Sequence, residues 1–458
     1  MPDKNKQHGK IKRLLIANRG EIAVRIIRTC HEMGIETVAV YSTADKDNLH
    51  VLMADKAVCI GPPPSAESYL VMKNIIMAAM HTNCDAIHPG VGFLSENAAF
   101  AKLVCDNGFI FIGPDSNVIE LLGDKVKARE TALKYGLPVV PGTGILETGK
   151  SEEELQDDLY LAKVAQVGYP VIIKAAMGGG GKGMRIVRKP EELVKNINLA
   201  SREAELNFGN ASIFIEKYLE NPRHVELQII ADGNGNVAVL GERDCTVQKN
   251  HQKLIEESPS PGVTEKMKQD MAAGAVAMFK DLKYYGAGTI EFLVEGDSFY
   301  FMEVNTRIQV EHPVSEYVTG IDIVRQQILA CTEGRLEITP DTVSFSGWSI
   351  ECRINALTPG KITRLEIPGG PGVRLDSYIY NGCFIPPFYD SLIAKLIVHA
   401  PDRKLALAKM DRALREFVIE GIKTNIERQW LIINHPVFHY GVFGTSWYEE
   451  FEKGVKHV

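Results

Sequence analysis

The chain has 458 residues, 45% apolar and 24% charged, with a formal net charge of -7 at neutral pH. That length exceeds one ordinary core, so two or three domains are expected, and the acidic balance argues against nucleic acid as the main partner. No apolar run reaches the ~18 residues of a membrane span, the N-terminus MPDKNKQHGK lacks a signal-peptide core, and eight scattered cysteines without a C-x-x-C pair suit reduced thiols in a cytoplasmic protein.

Residues 12–123 alternate strand and helix patterns. RLLIAN reads as a buried strand, EIAVRIIRTCHEMG as a helix ending at Gly34, and ETVAVYS as a second strand. DAIHPG and FIFIGP each set a strand before a Gly/Pro turn. This βαβ alternation predicts a parallel sheet with helices on both faces. The first turn, NRGEIA, has one glycine where a dinucleotide fingerprint needs three, so the phosphate loop of that motif is missing.

PVVPGTG (138–144) reads as a loop-like joint, and SEEELQDD opens a helix with a capping box from Ser151 to Glu154. In VIIKAAMGGGGKGMRIV (171–187), Gly178, Gly180 and Gly183 spell G-x-G-x-x-G, but a strand follows instead of a helix. Ala176 and Gly183 break the P-loop pattern. What remains is a glycine-tipped hairpin whose bare N–H groups can approach phosphate oxygens, with Lys174 and Lys182 supplying charge. A slack surface hairpin is the blander alternative. Strands follow in SIFIEKYLE, HVELQIIAD and NVAVLGERD, with a DGNGN hairpin turn between the last two.

GTIEFLVEGDSFYFMEVN (288–305) predicts a hairpin turning at Gly296-Asp297-Ser298. Pairing Glu295 with Phe299 sets Glu291 opposite Glu303, with Asn305 on the same face. Two carboxylates ~5 Å apart repel by roughly 3 kcal/mol at an effective dielectric of ~20. Two carboxylates and an amide suit Mg²⁺ or Mn²⁺ carrying nucleotide phosphates; a register slip of one would separate them. NTRIQVEHPVSE keeps Arg307, Gln309 and Glu311 in the same phase. A straight strand would put Glu311 roughly 26 Å from Glu303. Either the chain curls after Asn305 or it serves two adjoining sites, and the second is the expectation. Residues 345–450 mix strands with one helix, KLALAKMDRALREFVIE.

KAAMGGGGKGM, FIEKYLENPRHVELQ, ERDCTVQKNHQK, GAGTIEF and FMEVNTRIQVEHPVSE together resemble the biotin carboxylase family of the ATP-grasp superfamily. ANRGEIAVRIIR, HPGVGFLSEN, ECRINA, PPFYDSLIAKLI and GIKTN add to the likeness, which runs from about residue 11 to the C-terminus. It is nearest to the free-standing biotin carboxylase subunit of acetyl-CoA carboxylase. The implied fold is α/β and α+β multidomain. A Rossmann-like N-terminal domain spans 11–123, an ATP-grasp domain 124–330 with a mobile glycine-rich lid about 145–210, and a C-terminal biotin carboxylase domain 343–450.

The resemblance implies ATP contacts at Lys125, Lys174, Gly179, Gly180, Glu216, Lys217, Leu219, His224, Gln248 and His251, and two Mg²⁺ or Mn²⁺ ions on Glu291, Glu303 and Asn305. Lys253, Arg307, Gln309, Val310, Glu311 and Arg353 surround bicarbonate and biotin, with Glu311 as base, Arg307 holding the anion and Arg353 facing the ureido oxygen. It further implies a homodimer, a separate biotin carboxyl carrier protein and carboxyltransferase subunits. The same chemistry could serve a pyruvate or other acyl-CoA carboxylase. Two features depart from the family pattern: Leu357-Thr358 replaces a longer loop after ECRINA, and Lys249, Asn250 and Lys182 stand where arginines are common.

Overall fold

The computed structural model describes residues 9–146, 158–175, 184–208 and 210–455. The chain forms two compact units, one of residues 1–137 with 223–458 and one of residues 138–222.

In the larger unit, strands Arg13–Ile16, Glu36–Ser42, Lys56–Gly61, Ala86–His88 and Ile110–Phe111 make the expected parallel sheet, in spatial order third, second, first, fourth, fifth. Alternate side chains of the first strand enter opposite cores. Leu14 and Ile16 pack with Ile22, Ala23, Ile26 and Ile27 of helix Gly20–Glu32. Leu15 packs with Val38, Val40, Ile75, Ala79 and Phe100 on the other face. Protein contacts fill the one-glycine turn. Asn18 Nδ2 donates to the carbonyls of Pro89 and Val91 at 2.8 and 2.7 Å, and Arg19 pairs with both oxygens of Asp45 at 2.6 and 2.8 Å. Gly90 has φ +67°, and a Cβ there would sit 2.7 Å from Asn18, so this crossing needs glycine.

A second sheet of the same unit has eight antiparallel strands. Their spatial order is Ser298–Asn305, Tyr285–Glu295, Arg223–Asp232, Val237–Lys249, Gln252–Ser258, Trp348–Asn355, Leu392–Ala400 and Val373–Ser377. The DGNGN turn forms as expected, with Asp232 Oδ1 accepting from the backbone of Asn234 and Asn236 at 2.8 and 3.1 Å. Pairing of Gln252–Ser258 with Trp348–Asn355 carries the sheet past residues 330–343. One face of its C-terminal strands is apolar: Ile350, Cys352, Ile354, Leu396 and Val398 pack with Ala406, Leu407, Met410 and Leu414 of helix Arg403–Glu416.

That helix stops earlier than its sequence suggests. Val418–Glu420, inside the expected helix, pairs with Arg364–Glu366 as a short antiparallel ladder. β-branched Val418 and Ile419 gain more from strand pairing than from another helical turn.

The opposite face of these strands is polar. Lys395 is fully buried. Its ammonium donates to the carbonyl of Val310 at 2.8 Å and lies 3.0 Å from Glu21 and 3.9 Å from Asp376. Lys395→Met would strand the buried Glu21 carboxylate, at a cost of ~3–5 kcal/mol, while Asp376 keeps Arg374 at 2.7 and 2.8 Å. A clear fall in the unfolding midpoint is expected; an unchanged midpoint would show that Glu21 finds another partner.

The 138–222 unit holds a four-stranded sheet in the order Gly142–Leu146, Ile213–Lys217, Val171–Ala175, Arg185–Val187. The expected joint at PVVPGTG is therefore partly strand. Gly142 pairs with Glu216, and a Cβ on Gly142 would meet the Ile215 carbonyl at 2.7 Å. Glycine there permits close strand approach and does not mark a loop. Val171, Ile172 and Ile173 pair with Val187, Ile186 and Arg185, so the flanks of the glycine segment form the expected hairpin. Its tip, with Gly179 and Gly180, and the capping box Ser151–Glu154 lie outside the described residues.

Candidate active site

The carboxylate pair forms, by a different route from the one expected. The turn has two residues, not three: Glu295 pairs with Ser298, and Gly296 takes φ +60°. Glycine is favoured at the first central position of such a turn. The ladder then shifts between Phe292 and Glu291, leaving Met302 as an extra residue on the returning strand. This bulge cancels the offset from the turn, so Glu291 still faces Glu303.

The pair ends a row that crosses four strands. Arg243 is opposite Glu226, Glu226 opposite Glu291, and Glu291 opposite Glu303. Paired residues of an antiparallel sheet share a face, so one rung carries a cation and three carboxyls. Arg243 is wholly buried; it bonds Glu226, Gln228 at 2.6 Å, Ser315 at 3.1 Å and Thr289 at 3.2 Å. Lys253 crosses from the next strand. Its ammonium lies 2.7 Å from Glu226, 3.0 Å from Glu291 and 2.6 Å from Glu311.

The two facing acids differ in electrostatics. Glu291 Oε1 accepts from Lys253, from Asn305 at 2.9 Å and from Gln309 at 3.0 Å, and Oε2 lies 2.9 Å from His224 Nε2. Burial favours its neutral form, yet Lys253 and then His224 hold it far below the usual carboxylate range. Glu303 accepts no hydrogen bond from the described residues. Burial and then the charge of Glu291 push its carboxyl up, with Lys125 pulling the other way. A cation between the two would remove that repulsion, and two carboxylates with the Asn305 amide are a hard oxygen set that fits Mg²⁺ or Mn²⁺. Ligand atoms of His224, Glu226 and Glu291, and of Glu226, Cys245 and Glu311, also cluster within 4.8 Å among the described residues. Each trio includes carboxylates that Lys253 already bridges, so an ammonium holds the cation's place there.

The strand does not run on to Glu311. It ends at Asn305, and Glu311 caps the helix His312–Thr319, whose early Pro313 fits a helix start. Glu96 fastens the turn, accepting from the Thr306 backbone at 3.2 Å and from Arg307 Nε at 2.8 Å. The chain therefore curls after Asn305 instead of running straight on, which brings the segment with Arg307, Gln309 and Glu311 back beside the carboxylate pair. Arg307 also donates to Gln309 at 2.7 Å and Asn305 at 2.9 Å. Its described partners do not include Glu311, which is reached through Lys253.

Glu311 is fully buried. Besides Lys253, it meets Arg353 Nη2 at 3.0 Å and the Cys245 thiol at 3.8 Å. Burial raises its proton affinity, but Lys253, Arg353 and Arg243 outweigh that and hold it well below the ordinary range. Arg353 Nε donates to Glu256 at 2.5 Å. Its main-chain carbonyl accepts from Asn425 at 3.0 Å and Gln429 at 2.7 Å. The short Leu357-Thr358 connection is tied down too: the Leu357 backbone donates to the Lys423 carbonyl at 2.7 Å, and Thr358 accepts from the Lys423 backbone at 3.0 Å.

The other expected residues are placed as follows. His224 Nδ1 lies 2.7 Å from Gln248 Nε2. His251 shares with Asn250 a two-residue hairpin tip, both at positive φ, +63° and +50°. Asparagine tolerates that backbone well, which suits Asn250 to the turn. Lys125 begins helix Lys125–Lys134, near Glu303. Val310 offers its carbonyl to Lys395. Within the 138–222 unit, Lys174 pairs with Glu216 at 2.7 Å, Lys217 donates to the carbonyls of Gly168 and Tyr169 at 3.0 and 2.9 Å, and Leu219 is buried.

Sequence reasoning missed Glu96, Glu226, Arg243 and Glu256 as parts of this cluster. The available signal was charge at core positions of strands: HVELQIIAD and NVAVLGERD each carry a charged residue on a face that alternation assigns to one side of the sheet.

Comparison with known proteins covers the same span. The family model "Biotin carboxylase, N-terminal domain" matches residues 10–119. "Carbamoyl-phosphate synthase L chain, ATP binding domain" matches 124–338, and "Biotin carboxylase C-terminal domain" matches 351–450. The Nostoc sp. protein named biotin carboxylase is 52% identical over 97% of this chain and 100% of its own length. A Campylobacter jejuni biotin carboxylase in a β,γ-ATP complex superposes with TM-score 0.88 at 44% identity, covering 96% of this chain and 99% of that one. The biotin carboxylase domain dimer of Hydrogenobacter thermophilus 2-oxoglutarate carboxylase, with MgADP, ADP and bicarbonate, gives TM-score 0.87 at 45% identity, covering 97% and 98%.

Proposed function

The chain belongs to the biotin carboxylase family, and from that premise we propose how its residues divide the work. It is an ATP-dependent ligase that carboxylates biotin. The observation carrying the residue-level reading is the line Glu303–Glu291–Lys253–Glu311–Arg353, which joins a carboxylate pair at one end to a guanidinium at the other.

In this reading the ATP contacts are Lys125, Lys174, Gly179, Gly180, Glu216, Lys217, Leu219, His224, Gln248 and His251. Glu291, Glu303 and Asn305 hold two Mg²⁺ or Mn²⁺ ions. Such ions, when bound, offset charge gathering on the transferred phosphoryl group.

Arg307, held flat by Glu96, Asn305 and Gln309, receives bicarbonate beside Gln309 and Val310. Glu311 takes the bicarbonate proton as its oxygen attacks the γ-phosphorus; the bond to the β-phosphate oxygen breaks, giving carboxyphosphate and ADP. A carboxylate held this far below its usual range is a weak base, so proton transfer accompanies attack instead of preceding it. Lys253 offsets negative charge at this junction. Arg353 then stabilises charge on the ureido oxygen of biotin while the ureido nitrogen gives its proton to phosphate and takes the carboxyl group, and the bond from the carboxyl carbon of carboxyphosphate to its phosphate oxygen breaks to release inorganic phosphate. Excluding water matters because carboxyphosphate hydrolyses.

Free biotin should stimulate ADP release from ATP, Mg²⁺ and bicarbonate; ATP binding without turnover would favour a regulatory subunit instead. Glu303→Gln removes the less anchored acid, so the Mg²⁺ concentration for half-maximal rate should rise by about tenfold or more. An unchanged Mg²⁺ requirement would take Glu303 out of the metal set.

The further reading is a cytoplasmic homodimer that works with a separate biotin carboxyl carrier protein and carboxyltransferase subunits, in the first half-reaction of acetyl-CoA carboxylase. Its match to proteins named biotin carboxylase, 52% and 51% identical over 100% and 99% of their length, supports this over service to a pyruvate or other acyl-CoA carboxylase. Eight free cysteines suit the reducing compartment, and no helix among the described residues is long and apolar enough to cross a membrane.

A further inference from the structure

Behind Arg353 lies a second pair of facing carboxyls, which the reaction scheme above leaves without a role. Glu256 and Glu351 are register partners on adjacent antiparallel strands, and both are fully buried. Glu351 also precedes Arg353 by two residues, so all three side chains share one face of the sheet. Glu256 Oε1 takes the Arg353 Nε–H at 2.5 Å, while its Oε2 is buried without a partner among the described residues, as are both oxygens of Glu351.

Two buried carboxylates this close could not both stay ionised cheaply. Glu351 is the neutral one: burial raises it well above the ordinary range, with Lys395 opposing and Glu256 adding to the rise. Burial also lifts Glu256, to about 7, but Arg353 pulls it back. With Glu351 neutral, the negative charge of the pair falls on Glu256, and Arg353 is the cation bonded to it.

The guanidinium is a planar fork, so two anchors on different nitrogens fix both its position and its plane. Glu256 takes Nε and Glu311 takes Nη2, at 2.5 and 3.0 Å. Nη1 donates to none of the described residues. We propose that Glu256, backed by Glu351, is a positioning residue for Arg353, fixing the guanidinium so that Nη1 is presented to the carboxyl acceptor. This rests on the reading of Arg353 as the group that faces the ureido oxygen. Glu311 alone would leave the fork free to swing about one bond, and Glu311 is itself engaged in the first step of the reaction. A separate anchor lets Arg353 keep its aim while Glu311 gains and loses a proton.

The test uses the full chain, with free biotin as the varied substrate and ADP release as the signal. Glu256→Gln keeps the shape and removes the charge. It should lower kcat/KM for biotin about 10- to 100-fold, while the biotin-independent, bicarbonate-dependent ADP release and the KM for ATP stay within about threefold. Glu256→Asp, which keeps the charge but is one methylene short, should recover part of the loss. Arg353→Met separates the two layers of the reading. If it leaves kcat/KM for biotin near the native value, the role given to Arg353 fails and the proposal fails with it. If it lowers kcat/KM for biotin but Glu256→Gln does not, only the positioning role of Glu256 is overturned. Equal loss of both activities in Glu256→Gln, without recovery in Glu256→Asp, would mark Glu256 as a general fold element and overturn it as well.

Discussion

Glu311→Gln is expected to lower biotin-dependent ADP release by about 10²–10⁴-fold, the range a positioned base contributes, while ATP binding stays near native. Glutamine fills the same volume and its one amide oxygen can still accept from either Lys253 or Arg353, which donate to different oxygens of Glu311, while its NH2 faces the other cation. What goes is the acceptor for the bicarbonate proton. Glu311 is held ionised by Lys253, Arg353 and Arg243 against the pull of burial. A carboxylate with so depressed an affinity stays charged far into acid, so it should place no acid limb on the rate near pH 5–6. A steep loss of rate there that vanished in Glu311→Gln would mean the group titrates in that range. A near-native rate in the variant would remove Glu311 from the proton transfer altogether.

How much of this was visible in the sequence depended on which interactions were local. The parallel sheet was legible because alternating apolar strands and amphipathic helices recur at short spacing, from RLLIAN to FIFIGP. The Glu291–Glu303 pairing was legible too, but for an incomplete reason. The expected three-residue turn was wrong by one, and the bulge at Met302, which no residue type announces, restored the register. The curl after Asn305 was hidden because its anchor, Glu96, lies about 200 residues away in sequence. Pro313, at the start of the helix, gives no direction of approach. The strand at Val418–Glu420 was hidden likewise, since its partner Arg364–Glu366 is distant and the helical pattern ran on into FVIE. Long-range pairing, not local propensity, decided each of these.

Lys253→Met should be the most damaging single change in the cluster, because one ammonium serves three carboxylates. Glu226, Glu291 and Glu311 all lie within 3.0 Å of it. Methionine matches the length of the stem and removes the charge. Leaving buried carboxylates without their cation costs ~3–5 kcal/mol, and losing one oriented charge at a reacting centre costs ~10²–10³-fold in rate. Both losses should appear together. The pH dependence separates charge from packing. Glu291 and Glu311 have folded-state affinities below the unfolded value of ~4.3. The stability they contribute is therefore fully present above that value and lost as pH falls through their depressed range. Lys253 is the largest favourable charge acting on each. The gap in unfolding midpoint between native and variant chains should thus be widest at neutral pH and close as the medium is acidified. A gap of constant size from neutral to acid would assign the damage to packing, and the ammonium would lose its place as the charge that joins the carboxylate pair to the base.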